Sequence, residues 1–278
     1  MADPGMTVSL DAPPAQPLGR RGSGVWRTVE KLMRTVGTGF LFGLFGLGAL
    51  VLAGLILPAL GVVVRGPRDL VAQSLIHRAH AFFLRVGALL RLWSVEFDGL
   101  EKLRGARGSL IVANHPTLID VVLLLSQLPQ ADCVVKRAAW RNPFHSLLVR
   151  AADYIPNEFG EAVIERCSER LRNGRNVILF PEGSRSPMTG LNAFQRGAGH
   201  VLLRSECWLV PVTIRCEPPA LKKGQHWWAL PNEKLRFRVS VGDPLDSASF
   251  GVGGLARSAA TRRVTEQLEQ YFLAKVLR

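Results

Sequence analysis

The N-terminal part of the chain is dominated by one long apolar stretch. From Thr35 to Val64, thirty consecutive residues carry no charged side chain. Residues 36–57 alone would form a helix of about 33 Å, which is long enough for the hydrocarbon core of a bilayer. A helix that is apolar on every side is not expected in a soluble domain. The pattern therefore predicts a membrane segment.

The flanks of this segment leave open whether it crosses the membrane. Five basic residues precede it and Arg65 and Arg68 follow it, so the charge difference that orients a crossing segment is small. The glycines within the stretch, together with Pro58, would equally allow a bent, re-entrant hairpin. Residues 69–93 alternate apolar and basic positions. This favours a helix at the membrane interface over a packed helix of a soluble core.

Beyond Glu96 the pattern changes to short apolar runs that alternate with helical ones. The strand-like runs are Leu110–Ala113, Cys133–Val135, Tyr154–Ile155, Val177–Phe180, Leu209–Ile214 and Leu235–Val241. The helical patterns cover residues 117–128, 143–151, 158–173, 194–204 and 256–276. This alternation predicts an α/β domain with a mostly parallel sheet flanked by helices. The last run alternates apolar and polar residues, which predicts a half-exposed strand near an edge.

These patterns divide the chain into three parts. We expect a disordered basic lead-in over residues 1–34, membrane-embedded or interfacial helices over residues 35–93, and the α/β domain over residues 94–278.

Charge and cysteine content narrow the classes of partner. The formal net charge of +13 indicates a polyanionic partner, either nucleic acid or the anionic lipids of a membrane. Nucleic-acid binders place aromatic residues among their Lys and Arg, whereas Phe and Trp here concentrate beside the membrane segment, with Trp227-Trp228 as an exception. We therefore expect lipid and no nucleic acid. The four cysteines lack metal-ligand spacing, so we expect reduced thiols and neither a metal nor a cofactor.

The first candidate motif lies where the run Leu110–Ala113 ends in Asn114-His115-Pro116. In α/β folds such strand ends form the edge that binds ligands. Thr117 is a candidate N-cap, which would place Asp120 at the third position of the next helix. There its carboxylate would accept the imidazole N–H of His115 and leave the other ring nitrogen free as a base. A capping acid beside an unrelated loop histidine would show the same spacing, so this motif needs a second one.

The second motif follows the strand that ends at Phe180. Gly183 allows close approach of backbone amides, Ser184 adds a hydroxyl donor, and Arg185 offers a planar fork. This combination suits a phosphate. Glu182 could hold the arginine or a substrate hydroxyl, and a surface turn with a Glu–Arg ion pair is the alternative.

Together the two motifs resemble a known family. Asn114-His115-Pro116 with Asp120, followed by Phe180-Pro181-Glu182-Gly183-Ser184-Arg185-Ser186 with Glu182 62 positions after Asp120, is similar to the glycerolipid (lysophospholipid) acyltransferase family, which includes 1-acylglycerol-3-phosphate O-acyltransferases. Shorter similar blocks are Val134–Arg137, Pro143-Phe144, Phe194–Ala198 and Leu209–Val212. The resemblance covers about residues 90–245.

The resemblance implies a role for each motif. His115 would be the base that deprotonates an acceptor hydroxyl, and Asp120 would orient and stabilise its imidazole. The hydroxyl would attack an acyl thioester directly, so no nucleophilic Ser or Cys is required. The candidates for binding the substrate are Glu182, Gly183, Ser184, Arg185, Lys136 and Arg137.

One departure from the family concerns the acceptor. The family usually places an arginine just after an aromatic-Ile strand, but here Tyr154-Ile155 is followed by Pro156-Asn157-Glu158. Either Arg137, Arg141 or Arg150 takes its place, or the acceptor is another lysolipid or a specialised lipid.

The resemblance therefore predicts a membrane-bound O-acyltransferase; the alternative, based on the net charge of +13, is a non-catalytic binder of anionic lipid or nucleic acid. The enzyme would move a fatty acyl group from acyl carrier protein or coenzyme A to a lysophospholipid, most simply 1-acylglycerol 3-phosphate, giving phosphatidic acid. Known members carry an N-terminal helical pair seated in one leaflet, which fits residues 35–93 better than a full crossing. We expect the protein at the cytoplasmic face of the inner (plasma) membrane.

Overall fold

The structure is a computed structural model that describes residues 24–59, 66–141, 146–157, 160–226 and 231–276. The helices are α1 (Gly24–Val51), α2 (Arg68–Leu89), α3 (Leu100–Gly105), α4 (Asp120–Leu125), α5 (Arg137–Arg141), α6 (Ser146–Ala151), α7 (Glu161–Arg172), α8 (Gly197–Ser205) and α9 (Arg257–Val276). A π-helical turn (Leu52–Ile56) continues α1, and a 3-10 turn (Ala248–Phe250) precedes α9. The strands are β1 (Trp93–Asp98), β2 (Leu110–Ala113), β3 (Asp132–Lys136), β4 (Ile155–Asn157), β5 (Val177–Leu179), β6 (Leu209–Glu217) and β7 (Leu235–Val241).

The strands form one seven-stranded sheet in the order β1-β7-β6-β2-β5-β3-β4. Every neighbouring pair is parallel except β6 and β7. The central strand β2 is buried at all four positions, as expected for a parallel strand covered on both faces. The predicted mostly parallel sheet flanked by helices is confirmed.

The half-exposed character of β7 and its place near an edge of the sheet are as predicted. Its positions alternate between buried and exposed, with Arg236 and Arg238 on the open face. Strand β7 lies one strand in from the edge, because β1 pairs with it in parallel from Trp93↔Leu235 onward. The apolar spacing of residues 69–93 continues through Trp93, so the sequence pattern does not predict β1.

Helices cover the sheet in two layers, each with its own apolar core. Ile111 belongs to the cluster that contains Leu123 of α4 and Phe83 of α2. Leu110 and Val112, which alternate with it along β2, belong to the cluster on the opposite face, with residues of α7, α8 and α9. The domain is therefore a three-layer arrangement with the sheet in the middle.

The N-terminal helices pack together and onto one of these layers. Phe45 of α1 contacts Phe83 of α2 edge to face, with 5.0 Å between ring centroids. Gly87 of α2 lies against the indole of Trp93, and a Cβ there would fall 2.0 Å from the ring. Helix α2 thus buries one face in the domain, as the packed-helix alternative predicted, while Phe82 and Leu89 remain exposed.

Helix α1 keeps most of its apolar surface uncovered. Residues 28–59 have a mean hydropathy of 2.5 in their most apolar window, of which 22% is buried. They form the one helix, within the described ranges, that is long and apolar enough to cross a membrane. It begins at Gly24, inside the segment predicted as a disordered lead-in. Residues 1–23 of that lead-in, and residues 60–65 of the predicted membrane segment, lie outside the described residues.

Candidate active site

Parallel pairing brings the two sequence motifs to the same edge of the sheet. Strands β2 and β5 are parallel neighbours, with Leu110 opposite Val177 and Val112 opposite Leu179. The loops that follow them, which carry His115 and the Glu182–Arg185 segment, therefore leave the sheet side by side. This is the carboxyl edge, where α/β sheets bind ligands.

Asn114 fixes the point at which the chain leaves β2. Its buried side-chain amide donates to the backbone oxygen of Ile214 at 2.9 Å and accepts from the Ile214 N–H at 2.7 Å. These bonds continue the β2–β6 pairing with a side chain in place of backbone. Sequence reasoning did not assign this role. The signal for it was a polar residue directly after a fully buried strand.

His115 and Asp120 meet as predicted from their spacing. His115 Nδ1 lies 2.8 Å from Asp120 Oδ2, and the carboxyl group is completely buried. The backbone N–H of Thr117 donates to the same oxygen at 2.7 Å, and the Thr117 hydroxyl donates to Oδ1. Helix α4 begins at Asp120, so Asp120 is its first residue and not its third, and Thr117 is not its N-cap. The contact between His115 and Asp120 forms although the helix begins later than predicted, because Thr117 hydrogen-bonds the Asp120 carboxylate and holds it in place.

The pair leaves one imidazole nitrogen available. The His115 ring lies against Phe180, with 4.4 Å between ring centroids, and its side chain is 19% exposed. No described group hydrogen-bonds its Nε2 atom. Burial raises the pKa of Asp120, although the bonds from His115 and Thr117 act in the opposite direction. The ionised carboxylate accepts from the Nδ1–H, which puts the free lone pair on Nε2.

Glu182 joins the two loops. Its Oε1 accepts from the His115 backbone N–H at 2.9 Å and from the Ser186 hydroxyl at 2.7 Å. Its Oε2 accepts from the Asn192 backbone N–H at 2.8 Å and from the Asn192 side-chain amide at 3.1 Å. The residue is 4% exposed. Glu182 thus holds neither Arg185 nor an open position for a substrate hydroxyl, and this corrects the two contacts suggested from sequence.

Gly183, Ser184 and Arg185 form the turn beside this junction. Gly183 has a φ of 64°, a left-handed conformation that favours glycine, and its N–H bonds to the Phe180 oxygen at 3.0 Å. Arg185 donates through Nη1 to the backbone oxygens of Leu221 at 3.2 Å and Lys222 at 3.1 Å. In the described part of the chain it forms no ion pair, so the predicted Glu–Arg alternative is absent there.

Lys136 and Arg137 lie farther from this junction. Lys136 is the last residue of β3, which neighbours β5, and Arg137 begins α5. Both are exposed, and among described residues neither bonds to the two loops. The structure therefore brings His115, Asp120 and residues 182–185 together and leaves the other two candidates at the same sheet edge without a contact.

The thiols are unsuited to nucleophilic catalysis. Burial raises the pKa of Cys133, Cys167 and Cys216 to about 12 and raises that of Cys207 as well. Such groups carry almost no thiolate at neutral pH. Over the described ranges, no cluster of three His, Cys, Asp or Glu side chains could hold a metal ion.

Comparison with known proteins supports the resemblance seen in the motifs. Residues 94–215 match the family model described as Acyltransferase. The chain is 25% identical over 162 residues to 1-acyl-sn-glycerol-3-phosphate acyltransferase LPAT1, chloroplastic, of Arabidopsis thaliana, covering 55% of this chain and 46% of that protein. It is 29% identical over 125 residues to the putative 1-acyl-sn-glycerol-3-phosphate acyltransferase acl-2 of Caenorhabditis elegans, covering 42% and 44%. The chain thus spans less than half the length of these curated relatives.

A solved structure shares the fold. The crystal structure of the 1-acyl-sn-glycerophosphate (LPA) acyltransferase PlsC from Thermotoga maritima superposes with a TM-score of 0.63 at 20% sequence identity, covering 88% of this chain and 97% of that one. The predicted resemblance is confirmed by the match of residues 94–215 to the Acyltransferase family model.

Proposed function

We propose that this protein transfers a fatty acyl group from a thioester to the free hydroxyl of a lysophospholipid, with 1-acylglycerol 3-phosphate as acceptor and phosphatidic acid as product. The observation that carries the proposal is the His115–Asp120 pair, which shares one edge of the sheet with the arginine-bearing turn. A phosphorylated alcohol needs a base that removes the proton of its hydroxyl and a cationic group that binds its phosphate. The imidazole and the adjacent cationic turn provide both. The names of the relatives are consistent with this reaction class.

His115 is the general base of the proposed mechanism. Its Nε2 takes the proton of the acceptor hydroxyl as the oxygen attacks the thioester carbonyl carbon. Collapse of the tetrahedral intermediate breaks the C–S bond, and the imidazolium returns its proton to the leaving thiolate. The products are an ester and a free thiol, so no oxidant, metal or covalent enzyme intermediate enters the balance.

Asp120 and Glu182 support this step without contacting the substrate. The Asp120 carboxylate fixes the Nδ1–H tautomer and stabilises the imidazolium that forms. Glu182 holds the backbone of His115 against the second loop. Gly183 shapes the turn that receives the acceptor phosphate, and Ser184 and Arg185 bind it through hydroxyl and guanidinium donors. The position of Lys136 and Arg137 on the neighbouring strand end makes them further candidates for binding the charged substrates.

We further propose that the protein works at the cytoplasmic face of the inner membrane, with either acyl carrier protein or coenzyme A carrying the acyl group. The uncovered apolar surface of α1 supports membrane binding, as does the net charge of +13. A lysophospholipid acceptor is itself a membrane component. A helix seated at the interface would place the catalytic edge near its substrate.

The test is acyl transfer by the purified full-length protein in lipid vesicles. With lysophosphatidic acid and either thioester, we expect phosphatidic acid, and we expect His115→Ala to lower kcat by about 10³-fold or more. His200→Ala, on α8 in the opposite helical layer, is the matched control and should retain its activity. No transfer by the natural chain, or an unimpaired His115→Ala variant, would contradict the proposal.

A further inference from the structure

The segment that follows β6 contacts both loops of the site. Residues 218–226, named here the clasp segment, run past the two motifs before the chain reaches β7. The backbone oxygen of Leu221 accepts from the Leu118 N–H at 3.0 Å, in the loop of His115. The same oxygen accepts from Arg185 Nη1 at 3.2 Å. One carbonyl group of the clasp segment thus links the catalytic loop to the cationic turn.

The backbone of Leu221 is held in an unfavourable conformation to make this link. Its φ is 57°, in the left-handed region that residues with a branched side chain rarely adopt. The side chain is 2% exposed, so apolar packing anchors it in this conformation. Strained residues persist where the surrounding structure fixes them, and they concentrate at functional sites. The buried side chain therefore holds Leu221 in the conformation that directs its carbonyl oxygen toward the two loops.

Lys222 of the clasp segment also hydrogen-bonds the loop that carries Arg185. Its Nζ donates to the backbone oxygens of Pro187 at 3.2 Å and Met188 at 2.6 Å, just beyond Arg185. Its own carbonyl oxygen accepts from Arg185 Nη1 at 3.1 Å. Each loop therefore extends a cationic side chain to the backbone of the other. Gln225 closes the turn around Lys222, accepting from its N–H at 2.9 Å.

The charges of this contact are not neutralised. Arg185 and Lys222 bond only to neutral carbonyl groups, and neither forms an ion pair within the part of the chain that the structure describes. Glu182, in the same turn as Arg185, is occupied by four other donors. An ammonium group has three donors and Lys222 uses two, while Arg185 uses one of its three nitrogen atoms. Donors therefore remain on both cations, and their mutual repulsion would decrease when an anion binds.

We propose that Lys222 is a second cation that binds the acceptor's phosphate, beside Arg185, and that the clasp segment fixes the relative position of these two side chains. This inference rests on the proposed function and adds a residue to the same site. The lysine contributes charge and the third N–H donor, and its two carbonyl contacts set its position. The ligand is the phosphate monoester of a lysolipid, and an acceptor that lacks the phosphate does not use Lys222.

The kinetic test compares acceptors in wild-type and variant proteins. Lys222→Met should raise the KM for lysophosphatidic acid about tenfold, with kcat and the KM for the thioester within twofold of wild type. Lys222→Arg should restore most of the loss. Lys223→Met is the matched control, since Lys223 is exposed and forms no described hydrogen bond, and it should behave as wild type.

Two kinetic outcomes would overturn the inference while leaving the proposed function intact. One is an unchanged KM in Lys222→Met in a preparation where wild type transfers acyl groups and His115→Ala does not. The other is an equal loss with monoacylglycerol, the acceptor without phosphate, which would show that Lys222 serves only to hold the loop.

A binding measurement decides the inference without any acyl transfer. In the absence of thioester, lysophosphatidic acid should slow backbone hydrogen exchange in residues 218–226 of the wild-type protein. Monoacylglycerol should not do so, and Lys222→Met should lose the effect. Inorganic phosphate added alone distinguishes a lipid-borne phosphate from the free ion. Exchange that is unaffected by lysophosphatidic acid would overturn the inference.

Discussion

Asp120 combines three contacts in one buried carboxylate. It receives the imidazole of His115 and both the N–H and the hydroxyl of Thr117. A charge that is fully withdrawn from water is stable only when such donors surround it. The same carboxylate therefore shapes the loop and sets the tautomer of His115.

Replacing the Asp120 carboxylate with an amide of similar size tests the contribution of its charge. Asp120→Asn should lower kcat roughly 10³-fold or more, because an amide stabilises an imidazolium poorly and permits the wrong tautomer. The KM for the acceptor should change little, since Asp120 is buried beneath the base. Steady-state kinetics with lysophosphatidic acid measures both. Asp98→Asn, at the exposed end of β1, is the control, and a kcat near that of the control would contradict this role.

The N-terminal helices have different relations to the domain. Helix α2 buries Ala72, Ile76 and Phe83 against it, whereas α1 leaves Phe40 and Leu47 about 60% exposed. Exposed apolar surface on this scale marks an interaction site. The proposed membrane contact would account for this uncovered face and for the absence of charged residues in α1 from Thr35 onward.

Charges placed on this face should weaken membrane binding. For the double variant Phe40→Lys with Leu47→Lys, we expect at least about tenfold less protein in the floated fraction of a vesicle flotation assay. Each lysine costs up to about 2.5–3.5 kcal/mol at the centre of a membrane helix. Leu255→Lys with Ala256→Lys adds the same charge at exposed positions before α9 and should float as wild type does. Equal flotation of the two double variants would argue against membrane contact through α1.

At the scale of the whole molecule, the two edges of the sheet have separate tasks. The carboxyl edge holds the candidate site, and the amino edge holds a buried ionic network. Arg175, just before β5, bonds through two nitrogens to Asp132 at the start of β3, at 2.8 and 2.9 Å. It also bonds to Asp69 of α2 at 2.6 Å, and Gln73 of α2 reaches Asp132 at 3.2 Å. The network attaches α2, and with it the N-terminal helices, to the sheet.

Loss of the central arginine should affect stability without affecting catalysis. Arg175→Met leaves the buried Asp132 carboxylate without its cation, which should lower the free energy of unfolding by about 3–5 kcal/mol. Arg172→Met removes an exposed pair with Glu165 and should cost less than about 1 kcal/mol. Urea unfolding in detergent measures both variants, and kcat well below the melting temperature should match wild type. Equal stability losses would show that the network does not attach α2.

Local patterns predicted much of the architecture and the contact between His115 and Asp120. Strands β2 and β7 have the predicted bounds, because alternation and β-branched runs report burial directly. The parallel sheet followed from alternating strands and helices, and it placed both motif loops at one edge. The spacing from His115 to Asp120 predicted their contact only together with the second motif, because a capping acid near an unrelated histidine would show the same spacing.

Local patterns were less informative where one segment competes with another. The apolar spacing of α2 runs through Trp93 and concealed β1, whose place is set by its pairing with β7. Thr117 has the residue type of an N-cap, but the carboxylate of Asp120 takes its hydroxyl and α4 begins later. For β1 the pairing with a distant strand outweighed the local pattern, and for Thr117 a different local contact replaced the expected N-cap.

The sequence by itself determined most of the elements, their order, and the two side chains that we propose as the base and its carboxylate. Only the tertiary structure decided which loops meet. Asn114 binds Ile214 across 100 positions, and Arg185 reaches Leu221 across 36. Periodicity carries no information about such partners, because strand order brings them together and not spacing along the chain. For that reason, only the three-dimensional structure shows the hydrogen bond between Glu182 and the His115 backbone. The same holds for the contacts of Lys222 in the clasp segment.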